Sequence, residues 1–217
     1  MTKLDRSPEH KFEYRIEGVG RPCRLLVVLH GYGATQHDLA ALKPHVDPDG
    51  NYLLVSPRGP IETGNGGASW YDFDQSWQVY PDSFNHTLHS LDIFVNTLCE
   101  DTGLERGQAV FGGFSQGAGL AAWLSFSTKS PVPAGFWCNG TIIDVDGVSL
   151  DLTTASNCKS LILASRQDQH VPLERSRSQT RRFREAGSDV TVSEHDGNHG
   201  FSQAMLGDMR QWLASFG

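Results

Sequence analysis

Phe111-Gly112-Gly113-Phe114-Ser115-Gln116-Gly117-Ala118-Gly119 carries Gly-x-Ser-x-Gly at Gly113, Ser115 and Gly117. In that pattern a strand enters a sharp turn and a helix leaves at once, so the serine is held at a strained apex. A Cβ at Gly113 or Gly117 would collide with neighbouring backbone, which is why glycine flanks the turn. The flanks agree with the motif. Ala109-Val110-Phe111 reads as the end of a buried strand, and Leu120-Ala121-Ala122-Trp123-Leu124 as a continuing apolar helix. A glycine-rich turn holding a serine by chance would lack that context, so Ser115 is the candidate nucleophile.

Outward from this stretch, the chain alternates strand and helix. Phe12 to Ile16 alternates apolar and polar residues, as a half-exposed antiparallel edge strand does. Leu25 to Leu29, Tyr52 to Val55, Ala134 to Cys138 and Leu161 to Ala164 are continuous apolar runs suited to parallel strands covered on both faces, and Val190 to Val192 is a last strand. Between Ser83 and Glu100, Leu88, Leu91, Phe94, Val95 and Leu98 recur at helical spacing, with Gly103 as the stop. Leu173 to Ala186 predicts an arginine-rich amphipathic helix ended by Gly187, and Gln203 to Phe216 a final helix. The alternation predicts an α/β fold: a doubly wound, mostly parallel sheet with helices on both faces. No linker, repeat or segment long enough for a separate lid interrupts it, so residues 1–217 are expected to form a single domain.

Composition narrows the partners. The 217 residues carry a net charge of −7, and the one basic cluster, Arg181-Arg182-x-Arg184, lies on the outer face of a predicted helix, against a nucleic-acid surface. No run approaches the ~18 apolar residues of a membrane span. The N-terminal stretch Met1 to Pro8 lacks the apolar core of a signal peptide. Cys23, Cys99, Cys138 and Cys158 are far apart and read as reduced, mostly buried thiols of a cytoplasmic protein. A homodimer is left open.

A serine hydroxyl needs a base, and the base an orienting acid; behind an elbow of this kind they follow in the order Ser, acid, His. Asp168 comes just after the strand Leu161–Ala164, and His199 lies in the glycine-flanked loop Glu194 to Gly200 after the last strand. Both positions fall beyond the carboxyl ends of strands, where open α/β sheets bind ligands. Asp144 is the rival acid. His195 falls on the end of a strand, and His170 is too close in sequence to Asp168 to be held by it. His10, His37, His45, His86 and His89 read as surface or loop residues, and neither His86 with His89 nor His195 with His199 completes a metal site. No metal and no cofactor are expected.

Donors for a tetrahedral oxyanion are expected from the backbone N–H of Gln116 and, in the loop His30-Gly31-Tyr32-Gly33-Ala34 after the first central strand, of Tyr32. Gly64-Asn65-Gly66-Gly67 is no phosphate loop, having neither a following Lys-Ser or Lys-Thr nor a helix. Trp70 and Phe73 are candidates for a substrate pocket, against core packing as the equal alternative.

Leu29-His30-Gly31-Tyr32-Gly33, Pro57-Arg58-Gly59-Pro60, Trp70-Tyr71-Asp72, Gly113-Phe114-Ser115-Gln116-Gly117, Asp168-x-x-Val171-Pro172 and Gly197-Asn198-His199 stand in one order. In these blocks the chain resembles the phospholipase/carboxylesterase family of α/β-hydrolases, which includes bacterial carboxylesterases and acyl-protein thioesterases. The resemblance runs from about Leu25 to the C-terminus. It implies a triad of Ser115, Asp168 and His199, oxyanion donors at Tyr32 and Gln116, an acyl pocket near Trp70, and His170 at its edge. Three positions depart from the family's pattern: Ser165-Arg166-Gln167 before the aspartate, Cys138-Asn139-Gly140 where a Ser-Gly pair is common, and His170 where an aliphatic residue is usual. The implied activity is hydrolysis of carboxylic esters through an acyl-serine. With no lid and a polar pocket edge, short- to medium-chain small-molecule esters are expected over long-chain lipids. Thioesters or lysophospholipids are the alternative substrates, and a non-catalytic binding protein or a perhydrolase or dienelactone-type hydrolase the alternative classes.

Overall fold

A computed structural model describes residues 12–18, 22–126 and 132–216. The elements, in chain order, are β1 (Tyr14–Glu17), β2 (Arg24–Leu29), α1 (Gln36–Ala40), α2 (Lys43–Val46), β3 (Tyr52–Pro57), β4 (Ile61–Gly64), β5 (Gly67–Ser69), α3 (Pro81–Thr102), β6 (Ala109–Phe114), α4 (Gln116–Ser125), β7 (Ala134–Cys138), β8 (Lys159–Ser165), α5 (Leu173–Glu185), β9 (Val190–His195) and α6 (Gln203–Ala214). Met1 to Pro8 and His10 lie outside the described residues.

Seven strands form one sheet in the order β1-β3-β2-β6-β7-β8-β9. Every neighbouring pair is parallel except β1 with β3, the antiparallel edge expected from the alternation in Phe12–Ile16. Because successive side chains on a strand face opposite ways, each apolar strand feeds two cores. Leu25, Val27, Leu29, Phe111, Trp137 and Ile162 enter the core that includes buried residues of α3, α4 and α5. Leu26, Val28, Val110, Phe136, Leu161 and Leu163 enter the opposite core, with residues of α1, α2 and α6. This is why the strand sequences are continuously apolar rather than alternating. α4 is enclosed: Gly117 to Ser125 are all buried.

The helix ends follow local chemistry. Pro81 occupies the first turn of α3, and Gly103 closes it in the left-handed region at φ 71°, its N–H donating to the Cys99 carbonyl at 2.9 Å. Thr35 and Asp38 form a reciprocal capping box on α1. Gly64-Asn65-Gly66-Gly67 is the turn of the β4–β5 hairpin: Asn65 and Gly66 stand at φ 51° and 79°, as a two-residue turn with both φ positive requires.

The order of strands places the site. From β2 the chain moves to β3 on one side, whereas β6 flanks β2 on the other. The reversal opens a crevice at the carboxyl ends of β2 and β6. The loop beginning at His30 leaves β2 there, and Ser115 follows β6 directly. No helix among the described residues is long and apolar enough to cross a membrane.

Candidate active site

Ser115 stands at φ 52°, ψ −117°, between the last residue of β6 and the first of α4. A non-glycine residue with positive φ is strained, and here the surrounding contacts impose it. A Cβ on Gly113 would lie 2.4 Å from the Gly117 carbonyl oxygen, and one on Gly117 would lie 2.2 Å from that of Leu29. Only glycine lets strand, turn and helix approach this closely. The Ser115 N–H donates to the Cys138 carbonyl at 3.0 Å, continuing the β6–β7 ladder into the turn.

His199 lies in the loop after β9, and its Nδ1 is 2.7 Å from Oδ2 of Asp168. The carboxylate is nearly enclosed, its side chain 1% exposed, against 20% for the histidine. Its other oxygen accepts the backbone N–H groups of His170 and Val171, each at 2.8 Å. Three donors thus converge on Asp168, fixing its rotamer and holding a proton on Nδ1 of His199. Nε2 is then the nitrogen with a free lone pair. Phe114, the residue before Ser115, packs its ring 4.8 Å from that of His199, which brings elbow and imidazole together.

Asp144 is exposed and takes no part in this arrangement among the described residues. His195 is engaged elsewhere, its Nε2 3.0 Å from Asp208 and 2.9 Å from the Ser193 hydroxyl. His37, His45, His86 and His89 are exposed.

The loop after β2 is built on His30, which is fully buried. Its Nε2 accepts the Gly59 N–H at 2.9 Å, so the ring proton sits on Nδ1 and points to the Gly31 carbonyl at 2.8 Å. Burial lowers the His30 pKa below 6.5, opposed by the Gly31 hydrogen bond. The imidazole is therefore a neutral strut between two turns. Tyr32 N–H donates to no acceptor among the described residues, while Gly33 and Ala34 donate to Ala68 and Gly31. Gln116, as the first residue of α4, has an N–H with no intrahelical acceptor. Two candidate oxyanion donors are thereby left available.

Residues 15–216 match the profile of the Phospholipase/Carboxylesterase family. The chain belongs to that family. Putative hydrolase MhqD of Bacillus subtilis (strain 168) is 28% identical over 199 residues, 89% of this chain and 94% of its own. Among solved structures, esterase PE8 aligns with a TM-score of 0.81 at 23% identity, covering 95% of this chain and 99% of its own. The Bacillus cereus carboxylesterase aligns at 0.82 and 19%, covering 95% of each chain. The acyl-protein thioesterase 2 of Zea mays aligns at 0.74 and 16%, covering 94% of this chain and 98% of its own. These three likenesses establish the α/β-hydrolase fold. A phospholipase/carboxylesterase family member is a hydrolase, carboxylesterase-like or acyl-protein-thioesterase-like.

Further side chains of this family member pack around these loops. Trp70 is 0% exposed. Its indole N–H donates to the His30 carbonyl at 2.7 Å and its ring lies 4.8 Å from the His30 ring. It packs in the core and holds the loop after β2 through that hydrogen bond. His170 is exposed, its ring 4.9 Å from that of His199. Phe73 stacks on Trp77 at 4.5 Å, beside Tyr32.

The Gln116 side chain clamps the loop after β5, accepting the Trp70 N–H at 3.1 Å and donating to the Ser69 hydroxyl at 2.9 Å. Asn139, 1% exposed and at φ 44°, falls in one of the departures from the family pattern. Its Oδ1 accepts the Ser165 N–H and its Nδ2 donates to the Gly200 carbonyl, both at 2.8 Å. A second departure, Ser165-Arg166-Gln167, prolongs the β8–β9 pairing: Arg166 and Gln167 N–H groups donate to the His195 and Gly197 carbonyls at 2.8 and 3.0 Å. None of the four cysteines is bonded to another; burial pushes the Cys158 thiol up to about 12 and raises that of Cys138 further.

Proposed function

We infer that the protein hydrolyses carboxylic esters of short to medium acyl chain through an acyl-Ser115 intermediate. The observation that carries this reading is the enclosed Asp168–His199 pair at 2.7 Å, beside an elbow whose serine is held at φ 52°. As Ser115 Oγ bonds to the ester carbon, its proton passes to Nε2 of His199, and Asp168 stabilises the imidazolium. The carbonyl oxygen, now an anion, takes hydrogen bonds from the N–H groups of Tyr32 and Gln116. The C–O bond to the alcohol breaks as His199 returns the proton. Water then repeats the sequence, giving the acid and free Ser115.

The polar rim at His170 and the lack of a separate lid among the described residues support modest acyl length. The same chemistry acts on a thioester, so leaving group and chain length are read together. p-Nitrophenyl esters from acetate to palmitate, with a palmitoyl thioester alongside, are to be assayed with wild type and Ser115→Ala. Turnover greatest on short chains, and reduced by several orders of magnitude in the variant, is expected. Thioester preference would move the substrate to the thioesterase branch; variant turnover near wild type would remove Ser115 from the mechanism.

A further inference from the structure

Three segments line a half-open pocket of about 420 Å³: the chain at Trp77 to Val79, residues Thr141 to Asp144 after β7, and one face of α5. Two of these segments continue directly from the site. Gly140 backs onto the elbow so closely that a Cβ there would lie 2.4 Å from the Ser115 carbonyl oxygen. Trp77 packs edge-on against Tyr32, ring centroids 6.0 Å apart. Its backbone is held at φ 63°, an unusual conformation for a bulky residue, and its side chain is 68% exposed.

The α5 wall is selective in its charge. Arg175, Gln179 and Arg182 line the cavity and recur at spacings of four and three, which places them along one stripe of the helix. Arginines on other faces are engaged: Arg177 with Glu194 at 2.8 Å, Arg181 with Glu174 at 2.9 Å, and Arg184 with the Val190 carbonyl at 3.1 Å. Arg175 and Arg182 form no ion pair among the described residues. Gln179, only 6% exposed, spends its Oε1 on the Ile142 N–H at 2.5 Å, locking wall to helix. Its Nε2 is buried without a partner among the described residues.

Two guanidinium groups therefore supply donors, against the single lining carboxylate of Asp144. This leaves a local positive excess in a chain of net charge −7. Trp77, Val79, Ile142 and Ile143 supply the apolar part of the lining. Such a lining matches a short methylene chain ending in an anion, which guanidinium groups bind through charge-assisted, directional hydrogen bonds.

We propose that this cavity is a substrate subsite for a distal carboxylate, so that the preferred esters are monoesters of short dicarboxylic acids held by Arg175 and Arg182. The proposal rests on the acyl-Ser115 reading for its chemistry but not for its binding. Monomethyl glutarate, adipate and suberate are to be compared with methyl pentanoate, hexanoate and octanoate by titrating released acid. In wild type, kcat/KM for at least one acidic ester exceeds that of its neutral counterpart about tenfold, through KM. In the Arg175→Gln/Arg182→Gln double variant that ratio falls by about the same factor, a loss of charge-assisted contacts. Added salt lowers the wild-type ratio, because the arginines are exposed to screening.

Wild-type preference for the neutral ester at every length, or a ratio unmoved by the double substitution, would overturn the subsite. Calorimetric titration with free adipate decides the matter even if no ester is cleaved. Binding weakened about tenfold or more in the folded double variant supports the subsite. Absence of binding to wild type, or equal binding to both, overturns it and leaves the Ser115 chemistry to its own test.

Discussion

The side-chain amide of Asn139 donates to the carbonyl of Gly200 at 2.8 Å, 61 residues further along the chain. Its oxygen accepts from Ser165, at the end of β8 where the loop to Asp168 begins. The preceding carbonyl, that of Cys138, accepts the Ser115 N–H. One residue at the end of β7 thus ties the acid loop to the histidine loop, and its neighbour holds the elbow. The three candidate groups come from three different strand ends, and this junction fixes their spacing.

Asn139→Gly tests that role, because glycine adopts φ 44° without strain and removes only the two hydrogen bonds. Loss of loop alignment is expected to lower kcat about 10- to 100-fold with KM changed far less. The melting temperature falls by several degrees, since one buried and one half-buried backbone group lose partners. Asn139→Ala is expected to melt lower still, by the roughly 1–2 kcal/mol that a Cβ adds in the left-handed region. Wild-type kcat in the glycine variant would show that the junction does not position the site.

Asp168 and Asp144 separate cleanly by substitution. Asp168→Asn keeps an oxygen for the His170 and Val171 N–H groups but can turn an amide toward His199, favouring the wrong imidazole tautomer. A loss in kcat of about 10⁴-fold is expected. Asp144→Asn, exposed and remote from the imidazole's hydrogen bond, is expected within about threefold of wild type on neutral esters, as surface substitutions usually are. Steady-state assay of both variants checks the ranking, and the reverse order would move the acid to β7.

The parts legible in the sequence were those written in local pattern. Continuous apolar runs gave the central strands because each feeds two cores, and Gly113 and Gly117 marked the elbow because only a missing Cβ allows that approach. The pairing of Asp168 with His199 was legible through their positions beyond strand ends. The β4–β5 hairpin was legible in principle, since Asn65-Gly66 is a strong turn signal, although the strands it joins are too short to show a pattern of their own. Asn139 was not, because its partners lie 26 and 61 residues away and only the folded sheet brings them together. Trp70 was ambiguous for a related reason: an aromatic residue in a loop has the same local signature whether it faces a ligand or, as here, a buried carbonyl.

Gly117→Ala probes the contact between elbow and β2. The added Cβ meets the carbonyl oxygens of Leu29 and His30 at 2.2 and 2.4 Å, both backbone atoms that cannot swing aside. The expected result is a melting temperature lower by about 5 °C or more, or failure to accumulate folded protein. Gly107→Ala is the control, because nothing lies within 4 Å of its added Cβ, and it should melt within about 1 °C of wild type. Equal melting of the two variants, measured by circular dichroism, would contradict the packing described.

His30 predicts an acid limb in stability that is separate from any acid limb in activity. Its pKa is lowered in the fold, first by burial, from the ordinary value of 6.5. Protonation would also set a second ring N–H against the Gly59 N–H that Nε2 now accepts. Well above pH 6.5 the imidazole is neutral in both states and the full stabilisation is present. Below pH 6.5 the unfolded chain takes up a proton that the folded chain refuses, so stability falls as pH falls toward the folded pKa. The slope from this one group approaches at most about 1.4 kcal/mol per pH unit. Melting curves of wild type and His30→Gln between pH 8 and pH 5 isolate it, since the other histidines contribute to both proteins. Wild type should lose several degrees more than the variant across that interval, although it melts higher at pH 8. Parallel curves would mean that His30 is not held neutral by the fold.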